Sequence, residues 1–186
     1  MLKYLFTIFL FSSFSFAQEC DYSSNVKDSI GIYKSTKDYL VNEKIFGNKT
    51  SLMYFSLINT DGTPSLNVQM LQKTNDFTKI NCFNKNSRLY FQLENGKIVT
   101  LIHIDQNTCG TIVRDEKGNN NRILIGYFDF IEGSLADLKG SPISILRIKY
   151  DINSQDFIFK KRFISEFDKV KYEPSNYFIN FLRCVE

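Results

Sequence analysis

The stretch NCFNKNSRLYFQLENGKIVTLIHIDQNTCG, residues 81–110, holds two of the four cysteines and the only histidine of the chain. Two largely apolar runs, Arg88 to Leu93 and Ile98 to Ile104, flank Asn95-Gly96. Asn-Gly tolerates positive φ at both central positions of a type I′ turn, so the spacing predicts a hairpin with a two-residue loop. In that register Leu93 faces Ile98, Phe91 faces Thr100 and Leu89 faces Ile102, on one almost wholly apolar face. Continued outward, the register sets Cys82 opposite Cys109. Directly opposed residues have Cα atoms about 4.5–5.5 Å apart, which a disulfide can bridge. His103 then falls opposite Arg88, on the face of Tyr90, Val99 and Leu101. A bulge in the polar segments 84–87 or 105–108 would upset this, because one slipped residue turns the cysteines to opposite faces.

The chain opens MLKYLFTIFLFSSFSFAQ. Lys3 supplies a positive start, Tyr4 to Phe16 an apolar run, and Ser15-Phe16-Ala17 the small residues a signal peptidase reads. A cleaved signal peptide over residues 1–17 and an exported chain are expected. The apolar run falls short of the roughly 20 residues needed to span a bilayer, so no integral span is expected after cleavage. The 186-residue chain less its leader suits one domain, residues 18–186, and no linker or repeat divides it. Its 23 Lys and Arg, one of them Lys3, nearly balance 20 Asp and Glu. Nucleic-acid binding needs a basic stripe, and the balance argues against it.

Short β-like runs closed by turn residues fill the rest. They are Lys37 to Phe46, Ser51 to Asn59, Ser65 to Gln72, Ile123 to Ile131, Ile143 to Tyr150 and Phe157 to Lys161. Asp61-Gly62 makes a second hairpin signal. Two segments read as helical. Ser134 to Lys139 has a capping serine and Gly140 to stop it; a C-terminal helix from Pro174 would put Tyr177, Phe178, Phe181 and Leu182 on one face. The predicted fold is mainly β, with α+β as the alternative: an antiparallel sandwich or barrel-like sheet with a short connecting helix and a C-terminal helix.

An even cysteine count in an exported chain argues for disulfides. Pairing Cys82 with Cys109 leaves Cys20 and Cys184 at the two ends of the mature chain, where domain termini often meet. Four cysteines allow three connectivities, and this is the one the hairpin favours. Zinc is disfavoured, because no C-x₂₋₄-C pair exists and His103 stands six residues from Cys109. A cysteine nucleophile beside His103 is weaker again, since oxidation removes the thiolate. No G-x-S-x-G elbow supports a serine triad. Paired carboxylates about 5–10 Å apart would suit glycoside hydrolysis, with Asp129 and Glu132 as candidates. The run Arg114 to Arg122 reads as a polar hairpin loop, its Gly misplaced for a calcium loop. No catalytic residue, cofactor or metal is assigned.

The combination YFQLENGKIVTLIHIDQNTCGT, SLADLKGSPISILRIKYD and a terminal YFINFLRCVE resembles a set of uncharacterised secreted β-rich bacterial proteins. The resemblance covers about residues 85–186 and implies an exported β-rich domain, with no activity attached. The expected function is a non-enzymatic periplasmic, surface or secreted module that binds a protein or polymer of the cell envelope or supports an envelope structure. The alternative is a hydrolase of envelope or extracellular polymers acting through paired carboxylates. A cleft with two converging acids would favour the enzyme, and a flat sheet face the module.

Overall fold

The computed structural model describes residues 20–76, 81–104, 106–116 and 118–186; the expected leader, residues 1–17, lies outside the described residues. The first strands are β1 (Tyr22–Lys27), β2 (Ile32–Thr36), β3 (Tyr39–Phe46), β4 (Lys49–Thr60) and β5 (Thr63–Thr74). The quoted stretch carries β6 (Cys82–Phe83), β7 (Arg88–Leu93), β8 (Ile98–His103) and β9 (Thr108–Cys109). Next come β10 (Thr111–Arg114), β11 (Asn120–Phe130) and helix α1 (Ser134–Gly140). The last strands are β12 (Ile143–Lys149), β13 (Ser154–Ile158), β14 (Phe163–Ile164) and β15 (Lys171–Tyr172). A 3₁₀ turn (Pro174–Asn176), helix α2 (Tyr177–Phe181) and a second 3₁₀ turn (Leu182–Val185) follow.

Among the described residues, eleven strands form one antiparallel sheet built on the long trio β4-β5-β11. Asp61 and Gly62 join β4 to β5, both at positive φ as a two-residue turn requires. Asp61 can hold that conformation because it is pinned to β2: Ile32 N–H donates to its Oδ1 at 2.7 Å, and its own N–H donates to Ile32 O. Each outer edge of the trio is shared by two strands. On β4 these are β3 and β2, and on β11 they are β10 and β8. The order then runs on through β8-β7-β12-β13.

The sheet curls until its second half covers its first, without closing into a barrel. Phe55 of β4 meets Phe91 of β7 with ring centroids 6.1 Å apart, and the Tyr150 hydroxyl donates to Met70 Sδ of β5 at 3.0 Å. Phe178 of α2 enters the same core against Phe55, Phe91 and Phe130. This is the apolar face expected of the C-terminal helix. Segment 159–173 is held against β3 by one carboxylate: Glu43 accepts from Ser165 Oγ and from the N–H groups of Glu166 and Phe167.

The fold is therefore mainly β and antiparallel, with two short helices. Several local expectations need correction. The β7–β8 loop has three residues, Glu94, Asn95 and Gly96: Leu93 N–H donates to Lys97 O, and only Gly96 has positive φ. That is a turn followed by a left-handed bulge residue, an alternative Asn-Gly serves equally well. The register shifts by one, so Leu89 faces Leu101 and Phe91 faces Val99. Val99, Leu101 and His103 join the core with Leu89, Phe91 and Leu93, while Ile98 and Ile102 turn outward. Arg88 faces Ile102, not His103. Strand β13 lies earlier than Phe157 to Lys161, and Gly133, not Ser134, is the N-cap of α1. Strands β1, β2 and β10 were not expected.

Both disulfides are formed, Cys82–Cys109 and Cys20–Cys184, and no cysteine is free among the described residues. Such bonds mark an oxidising, exported environment. Cys82 opposes Cys109 despite the shifted hairpin. Between the paired rows Phe83–Thr108 and Arg88–Ile102, one strand has four residues (84–87) and the other five (103–107), so the extra residue restores the offset. The Cys20–Cys184 bond ties β1 to the C-terminus, aided by Tyr22 Oη donating to Cys184 O at 2.8 Å. No helix of the described residues is long and apolar enough to cross a membrane.

Candidate functional site

The cysteine stretch is a packing unit. Next to Cys82, the Phe83 ring is fully buried among His103, Phe128 and Tyr150, with centroids 5.2–5.4 Å away. Gly126 on β11 makes this possible, since a Cβ there would lie 2.6 Å from Phe83 Cδ2. His103 is 3% exposed and edge-on to Phe128, so its ring is closed to a substrate. Burial pushes the Tyr150 hydroxyl well above the ordinary phenol range. With both sulfurs in a disulfide there is no thiolate for His103 to activate.

The carboxylates considered for hydrolysis are both exposed. Asp129 is exposed on β11, between Ser65 and Ile102 of the flanking strands, and Glu132 is exposed just past its end. Neither lines a described cleft. In the Arg114 to Arg122 hairpin, Asp115 is engaged by Lys73 at 2.8 Å and by Asn119. The Lys73 ammonium, then Asn119, hold its carboxyl well below the usual range. No group of three or more His, Cys, Asp or Glu suited to a metal occurs among the described residues.

The concavity with the greatest volume among those described, about 440 Å³, lies on the outward face of β8-β7-β12-β13. The ladder fixes its layout row by row. Ile102, Arg88, Lys149 and Ser154 form one row; Thr100, Tyr90, Arg147 and Asp156 the next; Ile98, Gln92, Ile145 and Ile158 the third. Adjacent residues in a row stand about 4.5–5.5 Å apart, so each row is a continuous strip of side chains. Ile98 and Ile158 end the third row at 67% and 75% exposure.

Arg147 and Asp156 stand in the middle row, Asp156 on the edge strand β13. Nε and Nη2 of Arg147 donate to Oδ1 and Oδ2 of Asp156, each at 2.7 Å. The guanidinium keeps the Asp156 carboxyl below its usual range. A carboxylate so held stays ionised and is a poor proton donor near neutral pH. It is also the one acid lining this cleft. The arrangement offers apolar contact, an aromatic ring and a forked charge pair.

A smaller cleft of about 300 Å³ lies where β3 and β13 approach each other, lined by Phe46, Lys44, Lys49, Lys73 and Gln155 among others. Lys49 and Lys73 are paired with Asp76 and Asp115, each at 2.8 Å. Those pairs neutralise much of its positive charge.

Sequence reasoning did not single out Tyr90, Ile98, Arg147 or Asp156. The available signal was strand β8, which carries Ile98 and Ile102 on one face and Val99 and Leu101 on the other, although a sheet covered on one side needs only one apolar face. Comparison with protein-family models, with curated proteins and with solved structures finds no match.

Proposed function

We propose that this chain is an exported, non-enzymatic module that binds a protein partner in the cell envelope or outside the cell through the outward face of β8-β7-β12-β13. The observation that carries the reading is the character of the 440 Å³ concavity: an open sheet face whose single acid is tied to Arg147. Isoleucines exposed at the ends of a row, with a tyrosine and an arginine in the middle, match the make-up of protein contact surfaces. A polysaccharide reading is less well supported, because Tyr90 is the one aromatic ring lining the cleft. A hydrolase reading would need two free converging acids; the described cleft lined by two, Glu43 and Glu166, has its Glu43 carboxylate taken up by Ser165 Oγ and the N–H groups of Glu166 and Phe167.

Partners captured from envelope extract by the mature protein should be lost when Ile98→Glu and Ile158→Glu are combined. The expected fall in affinity is at least about tenfold, as for removal of central contact residues. Both side chains are largely exposed, so the melting temperature should barely move. A double variant that keeps every partner would exclude this face.

A further inference from the structure

Strand β13 ends the large sheet, and its outer side pairs with no strand among the described residues. Tyr150 N–H donates to Asn153 O and Phe159 N–H to Ser144 O, which fixes the bonded pairs of the β12–β13 ladder. Bonded and unbonded pairs alternate in an antiparallel ladder. Ser154, Asp156 and Ile158 therefore turn their N–H and C=O groups away from β12, and no described residue bonds them. The open length is bounded. It starts at the turn Tyr150 to Asn153, and beyond Ile158 it is closed by Ser175 N–H donating to Lys160 O at 3.3 Å. Between those limits the edge offers alternating donors and acceptors to an added strand.

The side chains beside that edge define what such a strand must carry. Arg88 and Lys149 stand directly opposite each other in the row that ends at Ser154. Like charges so opposed are destabilising. No ion pair among the described residues relieves either cation. Arg88 Nη1 donates instead to the Lys85 and Ser87 carbonyls, each at 2.7 Å. Asp151 accepts from Asn84 Nδ2, and Asp129 is set off from Arg88 by Ile102. Ser154 is small, so the long Lys149 side chain can pass over it to the edge. Asp156 is already matched by Arg147, and Ile158 leaves an apolar contact 75% exposed. A second copy of this chain fits poorly. Two-fold pairing about Asp156 would oppose like charges, and pairing about Ile158 would need the Lys160 carbonyl that Ser175 holds.

We infer that β13 takes an extended acidic segment of the protein partner as an added strand, an inference that rests on the outward face being a protein-binding surface. A carboxylate opposite Ser154 meets Lys149, and an apolar side chain four positions along covers Ile158. The probe is a phage-displayed library of random linear peptides, selected at low salt against the mature, disulfide-bonded protein. Enriched peptides should carry Asp or Glu with an apolar residue four positions away. They should shift the amide resonances of Ser154, Asp156 and Ile158, and lose affinity as salt rises. Lys149→Glu should weaken them at least about tenfold by setting acid against acid. Its melting temperature should equal or exceed that of the wild type, because the change turns a repelling pair with Arg88 into an attracting one. Ser154→Pro, which removes an outward N–H and no ladder bond, should also weaken them, and Ser154→Ala should not. The inference is overturned by a selection that enriches nothing, by peptides that leave those three amides unmoved, or by peptides that bind Lys149→Glu as well as the wild type. The face itself fails only if envelope partners survive Ile98→Glu with Ile158→Glu, so the two readings fall separately.

Discussion

Replacing Cys20 and Cys184 together by alanine should lower the unfolding free energy by about 5 kcal/mol, and replacing Cys82 and Cys109 by about 3.5 kcal/mol. The two bonds join residues 164 and 27 positions apart, and loop-closure entropy grows with the logarithm of that separation. Ordinary domains have total stabilities of about 5–15 kcal/mol, so the first pair of substitutions removes a third or more of that. The long loop also holds the C-terminal turn in place, where Asn59 Nδ2 donates to Val185 O at 2.6 Å and Leu182 is fully buried. Urea unfolding of the two double variants beside the wild type measures both losses. A larger loss at Cys82–Cys109 would mean that native packing around Phe83, and not loop length, dominates.

Gly126→Ala should be the most damaging single-methyl change in the sheet, at about 1–3 kcal/mol, as expected for overpacking. The new Cβ would meet Cδ2 and Cε2 of Phe83 at 2.6 and 2.7 Å and Phe128 at 3.0 Å. Phe83 cannot retreat, because His103, Tyr150 and Phe128 surround its ring and the neighbouring Cys82 is bonded to Cys109. Phe83→Ala alone should cost about 3–5 kcal/mol through the cavity it leaves. Combined, the two should cost less than their sum, because the methyl at 126 then extends into vacated space. Additive losses in urea unfolding would show that the ring and the glycine are not opposed.

Much of the architecture was legible because alternation and turn chemistry are local properties. The β4–β5 hairpin follows from Asp61-Gly62, and the C-terminal turn from the spacing of Tyr177, Phe178 and Leu182. The β7–β8 register was not legible. Asn95-Gly96 serves a two-residue loop and a three-residue loop with a bulge alike, and β8 carries aliphatic residues on both faces. Pairing of β7 with β12 and packing against Phe55 decide which face turns inward, and neither is a local property. The same ambiguity hid the candidate surface. Ile98 and Ile102 read as core residues when they are solvent-facing, and His103 was placed beside Arg88 when it packs on Phe83 and Phe128. The cysteine pairing survived because the one-residue shift in the loop is cancelled by the one-residue difference between segments 84–87 and 103–107.

The bond between Cys20 and Cys184 sets the path of mechanical load. Their Cα atoms lie 5.6 Å apart, so tension applied to the chain before Cys20 and after Cys184 crosses one covalent bridge. The strands in between lie outside that path and bear none of it. Once the bridge is reduced, the same tension falls on β1 and the last turn, held by contacts such as Tyr22 Oη to Cys184 O. Stretched by those ends, the oxidised chain should lengthen only through its flanking residues. The reduced chain should give way first at β1 and unravel from there.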